Sequence, residues 1–393
     1  MSAVYAGDTL IISEPGSTSN YVRFYESVEF IVNSTLDLPD QVLGDRAVDA
    51  GGGLITLRAA IQEANALGVP TRIVLPAGTY ELDITGSDDA AAAGDLDILT
   101  DITIVGAGMG LSVIDASGIT DRVFHVLAGH SLDVSALTVT GADTSAEGAG
   151  FYVYRGDLSL DQVAVINNRT TNSVGGGGIL NKQGNLDVVD SVFAYNDTTA
   201  NLGAIIRTWG ATGFAATTTL SGNVFAKNTQ SGGDLQGQIA HSVTGSTTSL
   251  GGNVSDSAGR DFANWPNNIL VHATDYVDAS GPDHVVTSLV DTFRTTPDIN
   301  RLSLREAVDL ANDSVSTPEE IWLPAWTFLL TRTGSDTGSP NVSLGDIDIL
   351  DDLTILGIDD SETTVDATFI VDNVFEEIGT ATLTDDRFTI ING

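Results

Sequence analysis

The sequence predicts a mostly β protein: a right-handed parallel β-helix (solenoid) with short amphipathic cap helices, repeated as one full and one partial unit. Three observations predict it. The first is internal repetition. Thr56-Leu57-Arg58-Ala59-Ala60-Ile61 returns as Ser303-Leu304-Arg305-Glu306-Ala307-Val308, Ile73-Val74-Leu75-Pro76-Ala77 as Ile321-Trp322-Leu323-Pro324-Ala325, and Gly94-Asp95-Leu96-Asp97-Ile98 as Gly345-Asp346-Ile347-Asp348-Ile349. The offset stays near about 250 residues, and order on that scale points to solenoids or arrays. The second is a set of columns: Leu137, Val163, Val192, Val224 and Val254 recur about 30 residues apart, with Val139, Val165, Ala194 and Ala226 two residues on. Residues two apart on a strand face the same way, so both columns are expected to point into one core. The third is a turn column, Gly141, Asn167, Asn196 and Asn228. Gly and Asn tolerate left-handed backbone, and stacked Asn side chains can bond along a ladder.

The elements follow in order. Residues 1–28 read as N-terminal strands, at 8–13 and 21–25 around Pro15-Gly16-Ser17, and are candidates for assembly. Residues 29–282 form the first unit, with a cap helix near 56–66. Leu57, Ala60, Ile61 and Ala64 carry its helical spacing and Thr56 its N-cap. Residues 283–393 form a second, incomplete unit with a cap helix near 303–312, where Ser303 and Glu306 make a capping box. Placed ahead of the first coil, each helix would cover a strand edge that otherwise templates aggregation. Residues 259–283, with Trp265-Pro266, are expected to close the first unit, and Gly175-Gly176-Gly177-Gly178 reads as a tight turn between coils, since no Lys-Ser/Thr follows for a phosphate loop.

Charge excludes several functions. Fifty-three acidic residues face 16 basic ones, for a net charge of −37. Nucleic acid is not a fitting partner, because its affinity rests on cations that neutralise phosphate. There are no cysteines, which removes disulfides, thiolate metal sites and thiol catalysis. No apolar run is long enough for a membrane span. The first 25 residues lack the pattern of a signal peptide, so Met1 reads as the start of a processed or excised fragment unless secretion takes another route.

Candidate sites are few. Asp95 and Asp97, and their repeats Asp346 and Asp348, place two carboxylates on one strand face, near Asp88, Asp89 and Asp101. Such a face suits Ca²⁺, a hard cation taking several oxygens. Arg58 and Arg305 sit near helix N-termini, where a cation is unfavourable. Each is expected to have a carboxylate partner, Asp95 or Asp97 in the first unit. Acid–base or lyase chemistry on the coils would draw on Asp157, Asp161, Lys182, Asp187, Asp190 and Arg207, with Asp161 and Asp190 stacked at adjacent levels. His125, His130, His241, His272 and His284 lack metal-ligand spacing and read as structural or surface residues.

The segments 56–65 and 303–312 resemble the CSLREA domain, a module of bacterial extracellular proteins that precedes right-handed parallel β-helices. Leu75-Pro76-Ala77-Gly78-Thr79-Tyr80, Gly94-Asp95-Leu96-Asp97-Ile98, Asp121-Arg122-Val123-Phe124 and Gly251-Gly252-Asn253-Val254 also match it. The resemblance spans about 30–259 and 284–393, and implies secretion, surface display and frequently very large parent proteins. It brings no catalytic residues. Val48 and Ile55 stand where the module often has cysteines, so apolar packing would replace a crosslink. Trp326 stands in place of Gly78, so that turn should differ if Gly78 needs positive φ. Asp372-Asn373-Val374-Phe375 loses the arginine of Asp121-Arg122-Val123-Phe124.

The expected function is that of an extracellular structural or adhesive β-helix protein. Strand addition between the N-terminal strands of one copy and the open C-terminal end of the next would build a head-to-tail filament. An excised piece of a longer tandem array is the simpler origin of the same ends. A polysaccharide lyase or hydrolase and a passive glycan-binding module are the alternatives. Expected partners are the chain itself or neighbouring modules, and glycan.

Overall fold

A computed structural model describes residues 2–6, 9–13, 20–22, 28–199, 205–230, 239–242, 244–256, 269–270, 275–277, 281–314, 318–334, 342–358, 362–370 and 373–392. Most of the segment 259–283 expected to close the first unit, Trp265 and Pro266 included, lies outside these residues, as do Tyr25, His272 and Asp372. Among the described residues the chain is a parallel β-solenoid of about nine turns, and 7% of it is helical.

Two walls define the first unit. The long sheet runs from Val28–Ile31 through Thr71–Leu75, Ile102–Gly106, Ser131–Thr140, Asp157–Ile166, Asn185–Val189, Ala216–Ser221 and Gly245–Gly251 to Ile269–Leu270. The lateral sheet stacks Leu96–Ile98, Phe124–Val126, Phe151–Tyr154, Ile179–Lys182, Ile206–Trp209 and Ile239–His241. Pairing along both is parallel. Alternation then fixes direction, because successive side chains on a strand face opposite ways. Phe124 and Phe151 turn inward and stack at 5.2 Å, as do Phe193 and Phe225 at 5.1 Å.

Helix Leu57–Leu67 starts at Thr56, whose side chain accepts the Ala59 amide, and stops at Gly68 in left-handed conformation. Helix Leu304–Asn312 starts with the Ser303–Glu306 capping box. The helices do not precede the first coil. Val28–Ile31 comes before the first helix and pairs with Thr71–Leu75, and His284–Val285 comes before the second and pairs within Glu319–Leu323. Each helix is an insertion in the first turn. The first buries Leu57, Ala60, Ile61 and Ala64 in the main core and so plugs its end. Val48 is buried and Ile55 packs against the same core. At the N-terminus, Ser2–Ala6, Thr9–Ser13 and Asn20–Val22 form a separate antiparallel sheet.

The columns need a correction of one residue. Leu137 does pair with Val163 and Val139 with Val165, but Val192 pairs with Ala164 and Phe193 with Val165. The inward ladder is therefore Val139, Val165, Phe193 and Phe225, all in the main core. Val192, Val224 and Val254 point outward, as do Ala194 and Ala226. They are buried because the second unit lies against them, with Trp322, Leu323, Leu356 and Ile358 packed on Val224 and Val254. A Val-Phe-Ala run is apolar on both faces, so periodicity alone cannot orient it.

The turn column shifts likewise. Asn168, not Asn167, joins the ladder: Asn168 Nδ2 donates to Asn196 Oδ1 at 3.2 Å, and Asn196 Nδ2 to Asn228 Oδ1 at 3.0 Å. Asn167 instead takes the positive φ of the turn, a position held by Gly141, Tyr195 and Lys227 in the other coils. Gly78 is not a positive-φ residue. A Cβ there would come within 2.9 Å of the Thr35 side chain, so space and not backbone conformation separates it from Trp326.

Candidate functional site

The outer face of the lateral sheet collects the chemistry. Register places Asp97, His125, Tyr152, Leu180, Arg207 and Ala240 in one outward ladder, and Tyr154, Lys182 and Trp209 in the next. Rungs are about 4.8 Å apart, so side chains on adjacent strands touch. The His125 and Tyr152 rings stack at 4.9 Å, and Tyr152 stacks on Tyr154 at 6.2 Å. The Arg122 guanidinium lies 4.8 Å from the Tyr152 ring, Lys182 Nζ 5.7 Å from the Trp209 ring, and Arg155 3.9 Å from the Phe214 ring. Such cation–π contacts strengthen as water is excluded.

Two proton-handling groups emerge. Asp97 Oδ1 lies 3.1 Å from His125 Nδ1, while its Oδ2 accepts the Ala91 amide at 2.8 Å. This orients the imidazole and fixes which ring nitrogen faces the carboxylate. His125 Nε2 is enclosed and has no hydrogen-bond partner among the described residues. Beside it, Lys182 Nζ holds both oxygens of Glu147, at 2.9 and 3.2 Å. Burial, the charge of Glu147 and a hydrogen bond to it hold the Tyr152 phenol well above its usual pKa. Tyr152 thus stays protonated at neutral pH and is a weaker acid than a free phenol, so the oriented His beside it is the group better suited to acid–base work.

Asp95 is held differently. Its Oδ2 lies 3.1 Å from Arg122 Nε. Burial and the adjacent Asp97 nonetheless push its carboxyl up to about 8, against the opposing pull of Arg122. Burial, then Glu362 and Asp161, push Asp190 up to about 6. The folded chain therefore holds protons that the unfolded chain releases above about pH 4. Stability falls as pH rises from about 4 towards 8 through Asp95, and towards 6 through Asp190. The unfolding free energy from urea titration should be higher at pH 6 than at pH 8, by about 1 kcal/mol or more, and Asp95→Asn should flatten that slope. Stability that rises between pH 6 and 8 would contradict this assignment.

The structure sorts the sequence candidates. Lys182 and Arg207 share the lateral face. The acids do not join them. Asp157 and Asp187 lie on the long sheet, bonded to Asn185 and Thr219. Asp161 and Asp190 are neighbours as expected, but at the junction with the second unit, where Glu362 also bears on Asp190. Arg58 has its ion pair, yet with Asp37 at 2.6 Å, and bonds besides to the carbonyls of Ala91, Gly94 and Asp95. Arg305 repeats the arrangement with Asp291 at 2.8 Å. Asp95 offers its carbonyl to Arg58 because its carboxylate is turned to Arg122.

The four acids proposed for a metal separate by unit. In the first, Asp97 groups with Asp89 and His125, and Asp95 is committed to Arg122. Asp88 and Asp101 are spent on backbone amides of Ala90, Ala92 and Ser131. A mixed nitrogen–oxygen set suits a transition metal better than calcium. In the second, Asp346 and Asp348 group with Glu376, whose position corresponds to His125; these oxygens suit a hard cation.

Sequence reasoning missed His125, Glu147, Tyr152, Tyr154 and Trp209. The signal was present in the triplets Leu96-Asp97-Ile98, Phe124-His125-Val126, Phe151-Tyr152-Val153 and Ile206-Arg207-Thr208. Their middle residues face outward on consecutive rungs.

No protein-family model matches the chain, and no curated protein matches it. The chain is similar, distantly, to three solved structures. ORF18 of Geobacillus virus E2 is 12% identical, covering 98% of this chain and 69% of its own, with a TM-score of 0.37. The A-module of the mannuronan C-5 epimerase AlgE4 of Azotobacter vinelandii is 16% identical, covering 89% and 94%, with a TM-score of 0.27. A PL6-family polysaccharide lyase of Pseudopedobacter saltans is 11% identical, covering 86% and 92%, with a TM-score of 0.21. Nothing about chemistry follows from likenesses this distant. Among the described residues, no helix is long and apolar enough to cross a membrane.

Proposed function

We propose that the outer face of the lateral sheet is a polysaccharide-recognition face, on a protein that works outside the cell as an adhesive surface. One observation carries the reading. In a chain with only 16 basic residues, Arg122, Arg155, Lys182 and Arg207 share one face with Tyr152, Tyr154 and Trp209. Aromatic rings interleaved with cations along a straight stack of rungs suit an extended ligand, since rings offer flat apolar contact and cations fix polar groups. Retention of the full chain on immobilised polysaccharides tests it. Trp209→Ala should cut retention about tenfold, as a lost aromatic anchor commonly costs above 1 kcal/mol. A chain retained on no polysaccharide, or a Trp209→Ala variant retained as well as the parent, sinks the reading.

Turnover, by elimination or hydrolysis, is an extension of the same reading. It is supported by the Asp97–His125 pair beside Tyr152. Tyr152→Phe should then abolish product release and leave retention intact.

Self-assembly is a second reading, favoured by the way the two units meet. The second unit docks through the outward ladder Val285, Trp322, Leu356. The corresponding ladder of the first unit, Ile31, Val74 and Val105, docks on nothing among the described residues, and Ile31 is 54% exposed. Thr389 and Ile391, which correspond to the buried Thr138 and Thr140, are exposed on the second unit. Lateral docking of copies through these faces, or strand addition at Thr389–Ile391, would each give an open head-to-tail array. Light scattering with and without calcium tests both routes; a monomer under all conditions removes them.

A further inference from the structure

Arg207 is an anomaly among the arginines. Arg58 and Arg305, also buried, are saturated by a carboxylate and three carbonyls each. Even the half-exposed Arg72 and Arg169 have carboxylate partners. Arg207 is 8% exposed, yet it has no ion pair among the described residues, and its enclosed Nε has no hydrogen-bond partner. Its contact of note is the Trp209 ring, 5.3 Å from the guanidinium. A desolvated guanidinium without an anion is costly, and a chain with 53 acidic residues does not lack anions to supply.

Among the described residues, the neighbours of Arg207 supply none. Arg207 sits mid-ladder between Leu180 and Ala240, both apolar. The nearby cation, Lys182, is already committed to Glu147, and Arg122 to Asp95. Among the described residues, Arg207 is thus a buried cation of this face with no acidic partner, and its planar fork is backed by an indole. That fork matches a carboxylate or sulfate through two parallel bonds.

Resting on the polysaccharide reading above, we propose that the ligand is an acidic polysaccharide and that Arg207 recognises the acid group of one sugar, stacked against Trp209. A carboxylate and a sulfate ester share the required planar pair of oxygens, and the test separates them.

The full chain and its Arg207→Gln and Arg207→Lys variants are titrated with three probes: a polyuronate, a sulfated galactan and a neutral galactan. The parent should prefer an acidic probe over the neutral one by tenfold or more, and the preferred acidic probe identifies the acid group. Arg207→Gln should remove that preference by weakening the acidic probe tenfold or more while weakening the neutral one far less; Arg207→Lys should restore part of it. The melting temperature of Arg207→Gln should hold or rise, because an unpaired buried charge has been removed. A variant that melts lower and keeps the parent's acid-to-neutral ratio overturns the inference while the polysaccharide reading survives. A parent that binds none of the three probes overturns both.

Discussion

Arg58→Ala should destabilise the first unit by about 3–5 kcal/mol, the usual cost of leaving one partner of a buried ion pair alone. Arg58 is fully buried, its Nε 2.6 Å from Asp37 Oδ1 and its Nη2 3.0 Å from Oδ2. Asp37 Oδ2 also accepts the amides of Asp83 and Ile84, while Arg58 Nη1 donates to the carbonyls of Ala91 and Asp95 and Nη2 to that of Gly94. One side chain thus ties the cap helix to the loop before it and to the start of the lateral sheet. Arg58→Met with Asp37→Leu should recover part of the loss, because both charges are then gone. The carbonyls would still lack donors, so recovery should be incomplete. Urea unfolding of the three chains checks this. A single-variant cost below about 1 kcal/mol, the range of exposed pairs, would mean the pair is not buried as described.

Trp322→Ala should cost about 3–5 kcal/mol and loosen the second unit from the first. Trp322 is among the largest fully buried side chains, and it packs against Val224 and Val254 of the first unit together with Leu356 and Ile358. Among the described residues, polar contacts across the rest of the junction include Thr140 donating to Asn300 at 3.3 Å, the Leu289 amide donating to the Met109 carbonyl at 3.4 Å, and Arg301 bonding to the Thr79 hydroxyl. Calorimetry of the parent should show coupled melting, and the variant two separated transitions, with Arg305 and its capped helix in the earlier one. One sharp transition at an unshifted temperature in the variant would contradict a tryptophan-anchored junction.

Architecture was legible because repetition is a property of sequence order. The doubled motifs, the capped helices and the spaced strands all survive in the structure. Direction within a strand was less legible. Val192-Phe193-Ala194 and Val224-Phe225-Ala226 are apolar at every position, and which residue faces inward depends on a second unit that covers the valines and alanines. The left-handed turn residue could not be read from residue type, since Tyr195 and Lys227 occupy it alongside Gly141 and Asn167. Arg58 was legible as a paired cation but not its partner, because Asp37 lies in an irregular loop where spacing carries no face information. The lateral face was missed for a different reason. Its residues are scattered through the sequence and meet only when coils stack, so His125, Tyr152, Lys182 and Trp209 look unrelated until register is known.

The lysines allow the most direct test of the lateral face. The chain has only Lys182, on that face and 24% exposed, and Lys227, which follows the strand Val224–Ala226 and donates its amide to Asp256. Amine acylation followed by mass spectrometry, with and without saturating polyuronate, reads the two positions within one molecule. Ligand on the lateral face predicts that Lys182 is protected and Lys227 is labelled at its free rate. Equal labelling of Lys182 in both conditions, or protection confined to Lys227, would contradict it.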